Sequence, residues 1–139
     1  MKNPPIIVLA EDDADDRLLA RDALAESRIA NDLHCVEDGE ELMNYLRRRN
    51  EYADPHSSPR PYIILLDLNM PRKDGREALR EIKEDPSLKS IPVIVLTTSK
   101  DEEDILKTYE LGVSSYIRKP VTFDGLVKVM EALGNYWFQ

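Results

Sequence analysis

The stretch that decides the fold is Tyr62-Ile63-Ile64-Leu65-Leu66-Asp67-Leu68-Asn69-Met70-Pro71. Its first five side chains are apolar or aromatic without alternation, which predicts a strand buried on both faces. Asp67 follows where this run ends, and an unpaired charge there would cost on the order of several kcal/mol. Asp67 therefore either begins a turn, since Asp, Asn and Pro all favour turns, or belongs to a site.

A second acidic strand end lies near the N-terminus. The short apolar run Ile6-Ile7-Val8-Leu9-Ala10 follows two prolines and leads directly into Glu11-Asp12-Asp13. The absence of alternation again predicts a central strand. Two predicted strands that both end in carboxylates favour a shared site over two unrelated turns.

Strand and helix patterns alternate along the rest of the chain. Strands are predicted at residues 6–10, 33–36, 62–67, 92–98 and 114–118, and helices at residues 14–28, 38–46, 74–85, 99–112 and 122–135. Three of the helices open on an acid or serine followed three positions later by glutamate, the capping-box pattern, at Asp38, Asp74 and Ser99. Residues 50–60, which include Pro55 and Pro59, are predicted to form one long loop.

This alternation predicts an α/β fold, a doubly wound five-stranded parallel sheet with helices on both faces and right-handed crossovers. The flavodoxin-like strand order 2-1-3-4-5 is the first choice for a sheet of this size. In such sheets, ligands bind at the carboxyl ends of the strands, where the strand order reverses.

Composition limits the partners and the location of the protein. The 139 residues suffice for one domain, and the formal net charge of −8 argues against nucleic acid as a partner. The longest apolar run is far shorter than the roughly 20 residues of a membrane helix, so we expect no membrane partner. The single cysteine, Cys35, permits no internal disulfide and is expected to be a buried thiol in a reducing cytoplasm.

The predicted strand ends place a set of reactive side chains at one edge of the sheet. They are Glu11 and Asp12 after the first strand, Asp67 after the third, Thr97 after the fourth and Lys119 after the fifth. A phosphate-binding loop would need glycines or hydroxyls after the first strand, whereas the acidic loop here attracts a cation. Two carboxylates about 4 Å apart repel by roughly 4 kcal/mol at an effective dielectric constant of 20. Converging carboxylates thus predict Mg²⁺ as counter-ion, with Lys119 as a second, fixed positive charge. The alternative is a set of solvated strand ends that make no mutual contact.

These residues together resemble the receiver domains of response regulators, the CheY-like fold. The resemblance rests on Glu11-Asp12, Asp67 with Asn69-Met70-Pro71, Asp74-Gly75, Thr97, Tyr116 and Lys119-Pro120, and it covers essentially the whole chain. Residues 71–99 and the C-terminal Tyr136-Trp137-Phe138 look most like single-domain regulators of cyanobacterial and other bacterial phytochromes. Residues 1–139 are therefore expected to be one receiver domain with no output domain.

The resemblance implies a role for each matching residue. Asp67 would accept a phosphoryl group from a phosphohistidine on a sensor histidine kinase, and the narrower resemblance implies a phytochrome as that kinase. Asp12, Asp67 and the backbone carbonyl of Asn69 would hold Mg²⁺, and Glu11 would act on the metal through water. Asp13, beyond the acidic pair, is expected to start a helix and not to bind metal.

The resemblance also implies a switch. Lys119 would pair with a phosphoryl oxygen, Thr97 would donate its hydroxyl to the acyl phosphate, and Tyr116 would then move inward. Such a protein is not an enzyme in the usual sense, since it catalyses only its own phosphorylation and dephosphorylation. Its output would be protein–protein contact.

Two other functions remain open from the residues. A Mg²⁺-dependent phosphatase with an aspartyl nucleophile would need a carboxylate at position 69, where Asn69 stands, and a substrate cap. A pseudo-receiver that binds partners without phosphorylation would not need the intact set of Asp67, Thr97 and Lys119.

Two surface features remain. Arg47-Arg48-Arg49 either complements the dipole of the helix before it or forms a docking patch. Three consecutive aromatics at positions 136–138 cannot all face the core of one helix, so they predict a homodimer through the C-terminal face, with phosphorylation shifting its affinity.

Overall fold

The computed structural model describes residues 5–27, 32–68, 70, 74–97, 100–107, 112–120 and 122–137, with the last two residues described by their backbone alone. Five strands form one sheet: β1 (Ile6–Ala10), β2 (Asp32–Val36), β3 (Ile63–Asp67), β4 (Val93–Thr97) and β5 (Ser115–Arg118). The strand order is β2-β1-β3-β4-β5 and every pairing is parallel. The predicted fold class and strand order are confirmed.

Five α-helices connect and follow the strands: α1 (Ala14–Glu26), α2 (Gly39–Leu46), α3 (Gly75–Glu84), α4 (Lys100–Lys107) and α5 (Phe123–Trp137). Asp38 and Asp74 accept hydrogen bonds from backbone amides in the first turns of α2 and α3, as their capping patterns predict. Asp13 does the same at the start of α1, as expected of a residue that starts a helix. The predicted cap of α4, Ser99, lies outside the described residues, as do residues 28 and 108–111 at two predicted helix ends.

The strands divide the core into two halves because their side chains alternate between the two faces of the sheet. Val8 and Leu66 point into the half that α2 and α3 cover. Ile7 and Leu65 point into the half that α1 and α5 cover. All five residues of β3 are buried, as expected for the central strand.

Three details differ from the sequence prediction. Helix α5 continues to Trp137, two residues beyond the predicted end at Asn135. The loop over residues 50–60 contains a short 3₁₀ helix, Asn50–Tyr52. Cys35 is half-buried and not fully buried, because β2 lies at the edge of the sheet. Among the described residues, no helix is both long and apolar enough to cross a membrane.

Candidate functional site

The carboxyl ends of β1 and β3 bring the acidic residues together. Ala10 pairs with Leu66 in the sheet, so Glu11 and Asp67 follow at the same level. Both carboxylates are buried, with Glu11 3% exposed and Asp67 5% exposed, whereas Asp12 is exposed. The backbone N–H of Glu11 donates to the carbonyl of Val36 at 3.0 Å, which holds the start of the acidic loop against β2.

Lys119 supplies the positive charge at this site. Its Nζ donates to Glu11 Oε1 at 2.6 Å and to Asp67 Oδ2 at 2.9 Å. Its backbone N–H donates to the carbonyl of Thr97 at 2.8 Å, which fixes the base of the lysine beside the end of β4. The predicted strand ends therefore meet. The alternative of separate, solvated side chains is wrong for Glu11, Asp67 and Lys119.

Burial and the ion pair shift the pKa values of both Glu11 and Lys119. Burial raises the pKa of Glu11 to about 7, although the hydrogen bond and charge of Lys119 act in the opposite direction. Burial alone would lower the pKa of Lys119, but its hydrogen bonds to Glu11 and Asp67 and their charges outweigh it and raise that pKa. Lys119 is therefore a permanent cation at neutral pH.

The site retains negative charge after this pairing. Glu11, Asp12 and Asp67 each place a carboxylate oxygen within 4.8 Å of the others. One lysine cannot neutralise three such groups, and hard oxygen donors at this spacing suit a divalent cation such as Mg²⁺. The residues present therefore fit the metal, although Asn69, the fourth predicted ligand, lies outside the described residues.

The predicted switch residues lie at the ends of β4 and in β5. Thr97 is fully buried, and its Oγ1 has no hydrogen-bond partner among the described residues. A buried hydroxyl without a hydrogen-bond partner is costly, so the Thr97 hydroxyl is available to donate to a group bound at the site. Tyr116 is half-buried against the core, with Lys107 Nζ 5.8 Å from its ring centroid. The ring is thus neither fully inward nor fully in solvent.

Arg17 is a site residue that the sequence analysis missed. Its guanidinium donates to the carbonyls of Glu11 at 2.8 Å and Asp12 at 3.0 Å, and it reaches Glu37 Oε1 at 3.4 Å. Arg17 therefore fixes the backbone of the acidic loop from the first turn of α1. Its position four residues after the helix cap Asp13 was the signal, because that spacing turns a side chain back over the helix start.

Gly75 shows how closely α3 approaches the acidic strand end. A Cβ built on Gly75 would lie 2.5 Å from Leu68 Cα and 2.6 Å from the carbonyl oxygen of Asp67. Real atoms do not approach so closely, so any side chain here would displace α3 or the end of β3. The backbone N–H of Gly75 donates to the carbonyl of Leu68 at 3.1 Å and holds this contact.

An acidic pair, an aspartate, a hydroxyl and a lysine thus stand at the carboxyl ends of one parallel sheet, as in the signalling domains of the response regulator class. The family model for the response regulator receiver domain matches residues 7–131, and the chain belongs to that family. Receiver domains are phosphorylated by histidine kinases, and those of the CheY kind typically lack a catalytic activity toward other substrates.

Relatives of this chain include regulators that are linked to phytochromes. The response regulator Rcp1 of Synechocystis sp. is 44% identical over 138 residues, which is 99% of this chain and 92% of Rcp1. The crystal structure of the phosphorylated cyanobacterial phytochrome response regulator RcpA is 45% identical, with a TM-score of 0.85 over 98% of this chain and 95% of that chain. The Mn²⁺-bound form of Rcp1 is 43% identical, with a TM-score of 0.82 over 98% of this chain and 96% of that chain. The predicted family and its narrower phytochrome-associated type are confirmed.

Proposed function

We propose that Asp67 is the phosphoacceptor of this receiver and that Glu11, Asp12 and Asp67 hold Mg²⁺. The observation that carries this proposal is the contact of Lys119 Nζ with both Glu11 and Asp67, next to a cluster of carboxylates that one lysine cannot neutralise. Among these carboxylates, Asp67 ends the central strand and also contacts the lysine. A bound divalent cation would neutralise charge on the transferring phosphoryl group.

The residues of this chain then have separate tasks. A carboxylate oxygen of Asp67 attacks phosphorus as the bond from phosphorus to the kinase histidine breaks, and the imidazole leaves. Lys119 is already within hydrogen-bond distance of Asp67 Oδ2, so it can transfer its contact to a phosphoryl oxygen without moving far. The hydroxyl of Thr97, which lacks a partner among the described residues, can donate to the same group. Hydrolysis of the acyl phosphate by water returns the Asp67 carboxylate and inorganic phosphate.

Tyr116 would respond to Thr97. The two residues lie on neighbouring strands, with Thr97 paired to Arg118 in the sheet. If Thr97 moves toward the phosphoryl group, it vacates space that the half-buried ring of Tyr116 can enter. The face of α4, β5 and α5 would then change its shape, and this change is the output that we propose.

Phosphorylation is tested with acetyl phosphate and Mg²⁺, with intact mass as the readout. Wild type is expected to gain one phosphoryl group in an adduct that is stable to acid and labile to base. Asp67→Asn should gain none, while Asp22→Asn, an exposed acid on α1, should behave as wild type. Labelling of Asp67→Asn at the wild-type rate would refute the assignment.

The pathway that we propose is phytochrome signalling, which rests on the similarity to Rcp1 and RcpA. The direct test is phosphotransfer from a purified phytochrome histidine kinase compared with an unrelated histidine kinase of equal autophosphorylation. We expect transfer from the phytochrome kinase to be faster by at least tenfold. Equal rates would remove the argument for this pathway.

We also propose a homodimer through the C-terminal face and a location in the cytoplasm. The aromatic side chains at positions 136–138 lie outside the described part of the structure, so the support for the dimer is the run of three consecutive aromatics in the sequence. A chain ending at Asn135 should have a lower mass than wild type in light scattering at the same concentration. Overlapping mass–concentration curves from two folded proteins would show that these aromatics are not the contact.

For the location, the support is the free thiol of Cys35, which suits a reducing compartment.

A further inference from the structure

A cavity lies at the opposite end of the sheet from Asp67. It has a volume of about 370 Å³, within the range of small-molecule sites. The end of α2, the loop before β3 and the segment between α3 and β4 form its walls. Pro61 and Ile91, which precede β3 and β4, place it at the amino ends of these strands. It is therefore separate from the acidic site, and the proposed phosphorylation makes no use of it.

Three arginines line this cavity, and two of them have no acidic partner in the described part of the chain. Arg47 pairs with Glu81 at 3.1 Å and with Asp85 at 3.6 Å. Arg48 instead donates to the carbonyl of Ser58 at 3.3 Å. Two positive charges without a counter-ion are notable in a protein with a net charge of −8.

Arg60 is the second of these cations. It donates to the carbonyl of Ser87 at 2.7 Å and to Ser90 Oγ at 3.3 Å, both of which are neutral acceptors. These hydrogen bonds hold the guanidinium against the segment between α3 and β4. A guanidinium has five N–H donors, so Arg48 and Arg60 both retain donors for an oxyanion.

The backbone at Arg48 has a conformation that disfavours arginine. Arg48 has φ of 54°, in the left-handed region that favours glycine. Its N–H donates to the carbonyl of Tyr45 at 3.2 Å and that of Arg49 to the carbonyl of Asn44 at 2.8 Å. This is the Schellman arrangement at the end of α2, and Arg48 stands where glycine is usual. Complementing the helix dipole does not explain this, because Arg47 and Arg49 supply positive charge without a left-handed backbone.

The remainder of the wall is partly apolar, with Tyr45, Ser58 and Ser87 as its polar members. Leu46, Pro61, Leu88 and Ile91 line the cavity beside the arginines. A ligand that combines an anionic group with an apolar body therefore matches both the arginines and the apolar part of the wall. Two uncompensated guanidinium groups match a dianion better than a monoanion, and phosphate monoesters approach a charge of about −2 at neutral pH.

We propose that Arg48 and Arg60 form a binding site for a phosphate monoester with an apolar body. The site lies at the amino ends of β3 and β4, opposite Asp67. The guanidinium groups bind the phosphate oxygens, and the apolar wall contacts the body of the ligand.

Titration by nuclear magnetic resonance tests this site with phenyl phosphate as the probe. The buffer contains EDTA and has constant ionic strength, so that a metal at Glu11, Asp12 and Asp67 cannot recruit the anion. Inorganic phosphate tests the charge alone, and phenyl sulfate tests the same body with a single charge. We expect phenyl phosphate to bind at least fivefold more tightly than either, with shifts of amides that surround the cavity.

Matched variants separate this site from general charge. Arg48→Gly keeps the left-handed turn and should fold, and Arg60→Met keeps an unbranched, extended side chain. Each should weaken phenyl phosphate at least fivefold. Arg49→Gly removes the same charge from a residue that does not line the cavity, and it should change affinity less than twofold. Equal losses in all three variants, no loss in Arg48→Gly and Arg60→Met, or shifts centred on Lys119 would each overturn the proposal.

Discussion

Replacing Asp67 by asparagine should stabilise the metal-free protein, and the structure allows the terms to be compared. Lys119 Nζ lies 2.9 Å from Asp67 Oδ2, an attraction of about 6 kcal/mol at an effective dielectric constant of 20. Glu11 lies within 4.8 Å, a repulsion of about 3 kcal/mol or more, and the exposed Asp12 adds a smaller one because water screens it. The attraction exceeds the repulsion from Glu11 by about 3 kcal/mol, and the repulsion from Asp12 reduces that difference. The cost of burying the Asp67 carboxylate, which is 5% exposed, then decides the sign.

We expect Asp67→Asn to raise the free energy of unfolding by about 2 kcal/mol in EDTA, which corresponds to roughly 6 °C in Tm for a domain of this size. Thermal melts at pH 8 measure it, because Glu11, with a pKa of about 7, is then mostly ionised. Mg²⁺ at a hundred times its Kd should add about 2.7 kcal/mol to wild type and less to the variant, which has lost a charged ligand. Asp22→Asn is the control for net charge. A variant that melts below wild type in EDTA would refute this reasoning.

Three further predictions follow from buried groups. Thr97→Val should stabilise the unphosphorylated protein by about 1 kcal/mol, because it removes a buried hydroxyl that lacks a partner among the described residues. The same variant should lose the surface change on phosphorylation. Urea unfolding tests the first effect and amide shifts with and without acetyl phosphate test the second, and destabilisation would contradict the prediction. Lys119→Met should destabilise the protein by about 3 kcal/mol in EDTA, because Glu11 and Asp67 lose their cation. Mg²⁺ should restore part of the lost stability. An unchanged urea midpoint would show that the ion pair does not contribute to stability. Burial raises the pKa of Tyr45 from 10 to about 12, so the contribution of its neutral hydroxyl to stability is complete below pH 10 and is lost as the pH rises through 12. Tyr45→Phe should therefore flatten the fall of the urea midpoint between pH 10 and pH 12. Parallel curves of urea midpoint against pH for the variant and wild type would contradict this prediction.

The sequence predicts the sheet and the meeting of the strand ends because both follow from rules that need no side-chain detail. Unbroken apolar runs define the central strands, and parallel connection brings the carboxyl ends to one edge. Asp67, Thr97 and Lys119 could therefore be placed together before any distance was known. The caps at Asp38 and Asp74 follow for a similar reason, since each depends on residues three positions apart.

The contacts that were not predicted from the sequence depend on which of several possible partners a polar side chain binds. Arg17 could have paired with any acid near the start of α1, but it donates to backbone carbonyls of the acidic loop. The loop over residues 50–60 is ordered by the buried Ser58, whose single hydroxyl hydrogen is shared between the carbonyls of Tyr52 at 2.8 Å and Asp54 at 3.0 Å. Serine in a loop is usually exposed, so composition gave no indication of this contact.

The ion pair between Glu11 and Lys119 joins residues 108 positions apart, and this separation affects how the protein folds. The first and third strands can bring the carboxylates together, but the neutralising amine arrives only when the fifth strand docks on the fourth. Contacts between such distant residues form slowly, because most of the chain must be ordered first. A chain still emerging from the ribosome thus carries its acidic residues without the lysine that completes the site. The ability to receive a signal is in this way tied to completion of the fold, and a partly folded molecule lacks the means to respond.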